Sequence, residues 1–520
     1  MRRSIPRLSG IVAVTLALGA CSFDDGSGGG TGGDEPGGSG GDAGGHITLA
    51  EWLTIDASFA LGTDDAFILT RAGCLEPLAR YTESGELEPS LATEWSQVDD
   101  LTWSFTIREG VQFQDGTDLT PEAVANALTH TLESDTAARS FNPSTVTAIE
   151  AGEDGTVLVT TPVPDPLLPL RLSTPSAGIL AEAAFTGAQI DVVGTCTGPF
   201  EIVDVNYDTG LEIIRNENYW GGEVALTGGT ISILPDGATR TTQLETGEVD
   251  IASSVPVTDI ALLEPNPDVT VSTNETARTT GLYFNTETGP FADEAARLAV
   301  QAALDLEAIA GSVYESAATP AVGPFAPSAP WAPEGAGALG GDPAAATAIL
   351  EDAGIDPASL DFELIAYTSR PEFANLAAVI QSQLAEIGIT VSITTPDYAA
   401  IEANLLAGDY GATLLSRNAL TDLPDPGGML SSDYTCEGGF NISQFCDPEV
   451  DTMIADAAST FDDEERYAAY ADIATYLQEH AVTVYIVHET ATYAHTNAVE
   501  GFVPNLLDQY VFTTALSISE

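Results

Sequence analysis

Trp103-Ser104-Phe105-Thr106-Ile107-Arg108-Glu109-Gly110-Val111-Gln112-Phe113-Gln114-Asp115-Gly116, then Leu119-Thr120-Pro121-Glu122-Ala123-Val124, carries two structural signals in succession. Over residues 101–113 apolar and polar side chains alternate, which puts Trp103, Phe105 and Ile107 on one face of a strand, and Glu109-Gly110 supplies a turn. This reads as a half-buried antiparallel hairpin. The period then changes. Thr120 offers an N-cap hydroxyl, Pro121 suits the first helical position and Glu122 suits the positive end, so a helix is expected over 121–132.

Toward the C-terminus, residues 291–313 are expected to be helical, and 343–353 form a second helix stopped by Gly354. A strand over 362–367, a helix over 370–387 ended by Gly388 and a β-branched strand over 389–394 follow. Strand, helix and strand in that order predict a mixed α/β lobe with parallel pairing. A helix over 464–480 and an apolar strand over 482–487 come next, and no repeat of domain-array length is present.

Toward the N-terminus, Arg2, Arg3 and Arg7 precede an apolar run over 11–18 and then Gly19-Ala20-Cys21. This is the pattern of a cleaved secretory signal, with an apolar run short of the ~20 residues that a spanning helix needs. Residues 22–45 are almost wholly Gly, Ser, Asp, Thr and Glu, a composition that stays a flexible coil. The remainder is long enough for two or three compact domains.

The formal charge is −63, from 78 acidic and 15 basic residues, and every basic residue is Arg. Such a surface repels nucleic acid and anionic headgroups, so neither is an expected partner. It also fits saline surroundings, where self-repulsion is screened.

With Cys21 set aside, Cys74, Cys196, Cys436 and Cys446 remain, an even number for an oxidising compartment. Three connectivities are open. The favoured one joins Cys436 to Cys446 across a short loop and Cys74 to Cys196 between distant segments. No CxxC spacing supports a metal site. No HExxH or Walker sequence is present, and the GxSxG and GxGxxG matches fall in segments without a preceding strand. No catalytic residues and no cofactor are expected.

Gly85-Glu86-Leu87-Glu88-Pro89-Ser90-Leu91-Ala92-Thr93-Glu94-Trp95, taken with the stretch quoted first, resembles the signature of the family 5 solute-binding proteins of ABC importers. That signature runs "LA..W", a strand, "LR.GV.F.DG..L" and an "A.DV" helix. Gln114 stands where many members have His, and Glu122-Ala123 replaces the usual "ED". Further matches follow in family order: Gly198-Pro199-Phe200, Arg215 to Gly221, Leu244 to Ile251, Tyr283 to Asp305 and Ile380 to Val391. Leu18-Gly19-Ala20-Cys21 resembles the bacterial lipobox, which makes Cys21 the lipidated residue.

The resemblance implies an α/β, two-lobed periplasmic-binding-protein fold, class II-like, with mixed sheets joined by two hinge crossovers. It implies a signal peptide over 1–20, a lipidated tether over 21–46, lobe I over 47–284 with an insert over about 76–190, lobe II over 285–487, and a return to lobe I over 488–520. The crossovers would lie near Tyr283 to Asn285 and near Val487-His488. Glu51, Trp52 and Leu53 match the loop whose backbone pairs with ligand. Asp422 falls where peptide binders carry the carboxylate that receives the ligand's ammonium, with Asp425 the alternative; Asn418-Ala419-Leu420 replaces the usual Trp. Arg417 is a candidate for a ligand carboxylate. The implied function is a monomeric, lipid-anchored extracytoplasmic binder that captures a short peptide and hands it to an ABC importer permease. A metal chelate, an opine or an oligosaccharide is the alternative cargo. A lipid-tethered extracellular enzyme or adhesin is the alternative of another class.

Overall fold

The computed structural model describes residues 44–519 except 83–85, 139, 188, 316, 421–422, 505–506 and 508. The signal segment and Cys21 lie outside the described residues. The expected hairpin is present, but it turns earlier than the side-chain rhythm proposes. Ala92–Asp99 pairs antiparallel with Thr102–Ile107, in a four-stranded sheet completed by Thr156–Thr160 and Ala148–Ala151. Phe105 and Ile107 are buried, and Trp103 packs partly buried against the same core.

Residues 111–119 do not return as the second arm. They fold around Asp115, whose Oδ1 accepts from the Thr117 N–H at 2.8 Å and its hydroxyl at 2.6 Å. A side chain that satisfies the nearby backbone competes with the ladder. The helix Pro121–Leu132 then begins as expected: Thr120 Oγ1 accepts from the Ala123 N–H at 3.2 Å, and Val124, Ala127 and Leu128 bury against the sheet.

The single helix expected over 291–313 is divided. Glu294–Ala303 and Leu306–Val313 are separate helices, because Asp305 caps the second through the Ala308 N–H at 2.9 Å. Asp is better placed at a cap than in a helix interior. Pro343–Ala353, Glu372–Glu386 and Asp463–Glu479 form as helices, and Asp361–Ile365 lies parallel to both Thr390–Thr394 and Ala412–Asn418.

Among the described residues these strands belong to an eleven-stranded mixed sheet. Its path runs from Thr390–Thr394 through Asp361–Ile365 and Ala412–Asn418 to two long strands, Val269–Phe284 and Thr483–Thr496. It continues through Ile251–Ala252, His46–Glu51, Gly228–Ile233 and Gly210–Arg215 to Phe200–Asn206, and the eleventh strand, Ala318–Pro320, pairs with Thr483–Thr496 off this path. The two long strands pair antiparallel, and each passes from one hydrophobic core into another. Leu282, Tyr283, Phe284, Val484, Ile486 and Val487 belong to one core, whereas Tyr493 and Ala494 belong to the cores at the other end. Their ladder is irregular between Glu275 and Thr279 and again between Thr280 and Gly281, in the span between those cores. A local break in pairing bends a strand, which makes this span a suitable hinge. The result is the expected two-lobed α/β architecture with two crossover strands.

The disulfides join Cys74 to Cys196 and Cys436 to Cys446. No helix of the described residues is long and apolar enough to cross a membrane.

Candidate functional site

Two adjoining cavities share Ser140 in their walls. The first, of about 480 Å³, is lined by Trp52, Leu53, Asp56, Asp64 and Phe67, with Leu420 and Pro424 among the other residues. The second, of about 690 Å³, is lined by Arg171, Arg278, Tyr367, Arg370, Arg417 and Phe440, with Leu423 close to the chain segment shared with the first.

His46–Glu51 runs parallel to both of its neighbours, and its carboxyl end opens on the first cavity, the usual location of ligands in such sheets. Glu51 itself is fully buried. It forms an ion pair with Arg71, and its Oε1 accepts from the N–H groups of Trp52 at 2.7 Å and Leu53 at 3.1 Å. Arg71 also donates to the Tyr493 hydroxyl at 2.8 Å, which ties the loop to a crossover strand. Glu51 therefore shapes the loop, and Trp52 and Leu53 present it to the cavity. Trp52 is 42% exposed. Asp65 extends the scaffold by accepting from the N–H groups of Asp56, Ala57 and Phe59.

Across the cleft, the strand Ala412–Asn418 ends in Arg417 and Asn418. Arg417 grips Asp433 with two bonds, Nε to Oδ2 at 2.6 Å and Nη2 to Oδ1 at 2.7 Å, and lies over the Phe440 ring at 4.3 Å. Asn418 Oδ1 accepts from the Leu420 N–H at 2.9 Å and so shapes the loop that follows. Asp422 lies outside the described residues. Asp425 lines neither cavity: it is buried against Arg466, Tyr470 and the Gly427 N–H, and burial raises its pKa while Arg466 opposes the shift.

Sequence reasoning passed over Arg278, Tyr367, Arg370 and Glu489. Arg370 Nη1 meets Glu489 Oε2 at 3.0 Å, and its Nη2 donates to the Ser416 hydroxyl at 3.0 Å. Burial opposes ionisation of Glu489, yet Arg370 and Arg278 outweigh it and hold the carboxyl below its usual range. The scarcity of cations was the signal available: in a chain with 15 basic residues and none of them Lys, each Arg outside the signal segment is a candidate. Among the described residues no group of three or more His, Cys, Asp or Glu is placed to hold a metal ion.

The sequence profile described as "Bacterial extracellular solute-binding proteins, family 5 Middle" matches residues 86–441. The nickel-binding protein NikA of Staphylococcus aureus is 26% identical over 434 residues, covering 83% of this chain and 86% of the relative. The di/tripeptide-binding protein 2 of Pseudomonas aeruginosa is 26% identical over 453 residues, covering 81% of this chain and 84% of the relative. The crystal structure of a nickel ABC transporter protein from Bacillus halodurans matches with a TM-score of 0.79 at 28% identity, covering 91% of this chain and 100% of that one.

Proposed function

The chain belongs to the bacterial extracellular solute-binding proteins of family 5, and from that premise we propose that it captures a short peptide between its lobes and delivers it to the permease of an ABC importer. As a member it is an extracytoplasmic, non-enzymatic solute-binding protein of an ABC transport system. The peptide assignment rests on one observation: carboxylates and no arginine line the first cavity, whereas four arginines against the single carboxylate of Glu402 line the second. Exposed Asp56 and Asp64 stand in the first cavity beside Trp52, and arginines line the second. A zwitterion with its ammonium and carboxylate several ångströms apart is the small molecule that such a cleft accommodates best.

Asp422 is assigned the ammonium, because its described neighbours Leu420, Leu423 and Pro424 line the two cavities. Residues 47–281 with 488–520, and 282–487, are assigned as the lobes that close over the solute, bending at the irregular span of the crossover strands; the expected boundary after residue 284 moves back because Leu282, Tyr283 and Phe284 pack with Val484, Ile486 and Val487. Cys21 is assigned as the acylated residue, with residues 22–45 as the tether that leads to the strand starting at His46. Two or more acyl chains then hold the protein at the membrane, since each buried methylene contributes about 0.8 kcal/mol.

Melting with dipeptides and tripeptides tests the cargo. A ligand at about 100 times its Kd stabilises by roughly 2.7 kcal/mol, so a peptide that fits raises the Tm clearly. Asp422→Asn weakens that effect; equal affinity in the variant removes its role, and no shift with any short peptide rejects the cargo. A second reading, a metal carried as an anionic chelate, is favoured by the same arginines, which repel a bare cation but attract carboxylate-wrapped metal, and by the nickel-binding relative.

A further inference from the structure

Four of the 15 arginines line the larger cavity, and three of them already have a carboxylate. Arg171 pairs with Asp165 at 2.7 Å, Arg370 with Glu489 at 3.0 Å and Arg417 with Asp433 at 2.6 Å. Arg278 differs. No carboxylate of a described residue lies within ion-pair distance of it; its Nη1 reaches only the Ser416 carbonyl at 3.3 Å and the Ser416 hydroxyl at 3.4 Å. Burial and then Arg370 pull its pKa below the usual arginine range, and Glu489 offsets only part of that.

A partly buried guanidinium set near two other cations is costly, and a chain with 78 acidic residues has ample means to neutralise one. The missing counter-charge therefore has a natural source in the solute. We infer that Arg278 is the anion anchor of this cleft, its planar fork receiving a carboxylate of the bound solute with Arg370 as the flanking cation. This rests on the solute-binding reading of the cleft, and it assigns a peptide's C-terminal carboxylate or, equally, a carboxylate of a chelating acid. Arg278 also sits beside the ladder irregularity of the crossover strand Val269–Phe284, in the span between the two cores. A carboxylate held there would load the hinge itself, so capture and closure would be coupled through one residue.

The test compares wild type with Arg278→Gln and Arg278→Lys, using Ala-Ala, Ala-Ala amide and citrate as probes in calorimetric titration and thermal melting. Wild type is expected to bind Ala-Ala or citrate about tenfold or more tighter than the amide. Arg278→Gln should remove that preference, and Arg278→Lys, which keeps the charge but loses the fork, should retain part of it. Without ligand, Arg278→Gln should melt close to the wild-type temperature, because the repulsion it relieves with Arg370 and Arg417 is offset by the attraction it gives up to Glu489. Unchanged affinity for both carboxylate probes in the Gln variant overturns the anchor; so does a clear fall in its unliganded Tm, or its failure to fold, which would reveal a structural partner. The two readings separate cleanly. Citrate binding without peptide binding rejects the peptide and keeps the anchor, equal binding of Ala-Ala and its amide does the reverse, and wild type that binds none of the three counts against both.

Discussion

Asp425 and Arg466 face each other at 3.2 Å with both side chains almost wholly withdrawn from solvent. Asp425 Oδ1 is occupied by the Tyr470 hydroxyl and the Gly427 N–H, each at 2.8 Å, and Asp425 lines neither cavity. Removing one partner of a buried pair strands the other charge, and Asp425→Asn should therefore destabilise the protein by about 3 kcal/mol. The affinity for solute should stay unchanged. Urea denaturation measures the first quantity and titration with Ala-Ala the second; a variant as stable as wild type that binds more weakly would transfer Asp425 from the scaffold to the site.

His488 provides a pH dependence. It is buried on the crossover strand, with Nδ1 at 2.9 Å from the Thr279 hydroxyl and Nε2 accepting from the Val322 N–H at 3.1 Å. Burial pushes its pKa down to about 4 from the usual 6.5 of a free imidazole. With the folded value depressed, the unfolded chain binds the extra proton between those two pH values. The stabilising contribution is complete above pH 6.5 and is lost as pH falls through 4, by at most about 3 kcal/mol. Glu489, held low by its arginines, gives up its own contribution only at still lower pH. Denaturation of wild type and His488→Gln at pH 7 and near pH 4.5 checks this: the gap between them should shrink at the lower pH, and a constant gap refutes the assignment.

These residues also mark where sequence reading succeeds. Thr120 and Pro121 announce their helix because a cap needs only neighbours, and the αL Gly354 ends its helix for the same reason. Asp305 was a cap signal inside an apolar run, and the run concealed it. The strand Thr483–Thr496 extends well beyond the expected 482–487, because its middle crosses between cores and alternation fades there. Trp52 and Leu53 were placed at the cleft by motif and do line it. Arg71, the partner of Glu51, lies twenty residues away, and only the tertiary structure pairs them. Arg278 stands between Ala277 and Thr279 with no local mark of a cavity at all.

The disulfides differ in the loops they close. Cys74 and Cys196 are 122 residues apart, and Cys436 and Cys446 only 10. In the chain-entropy treatment these loops contribute about 5 and about 3 kcal/mol respectively. Replacing Cys74 and Cys196 together by Ser should lower the unfolding midpoint more than replacing Cys436 and Cys446. The opposite ranking would mean that the short loop, which carries Phe440 beneath Arg417, matters more to the native state than to the unfolded one.

Glu51 is the residue whose substitution should separate scaffold from contact. Its Oε1 holds the first two N–H groups of the cavity loop, and its Oε2 neutralises Arg71, whose other nitrogen reaches Tyr493 on the crossover strand. Glu51→Gln keeps an acceptor for the loop but leaves Arg71 buried without its counter-charge, so stability should fall by about 3 kcal/mol. Glu51→Ala removes the acceptor as well, and amide exchange over residues 52–57 should then rise above that of the Gln variant, since an unmade buried bond costs about 1–3 kcal/mol more. Solute affinity should follow the exchange and not the stability: near wild type for Gln and weaker for Ala. If Gln weakens binding as much as Ala while exchange over residues 52–57 stays at the wild-type level, the carboxylate is acting on the solute directly, and the buried pair with Arg71 must open when ligand enters.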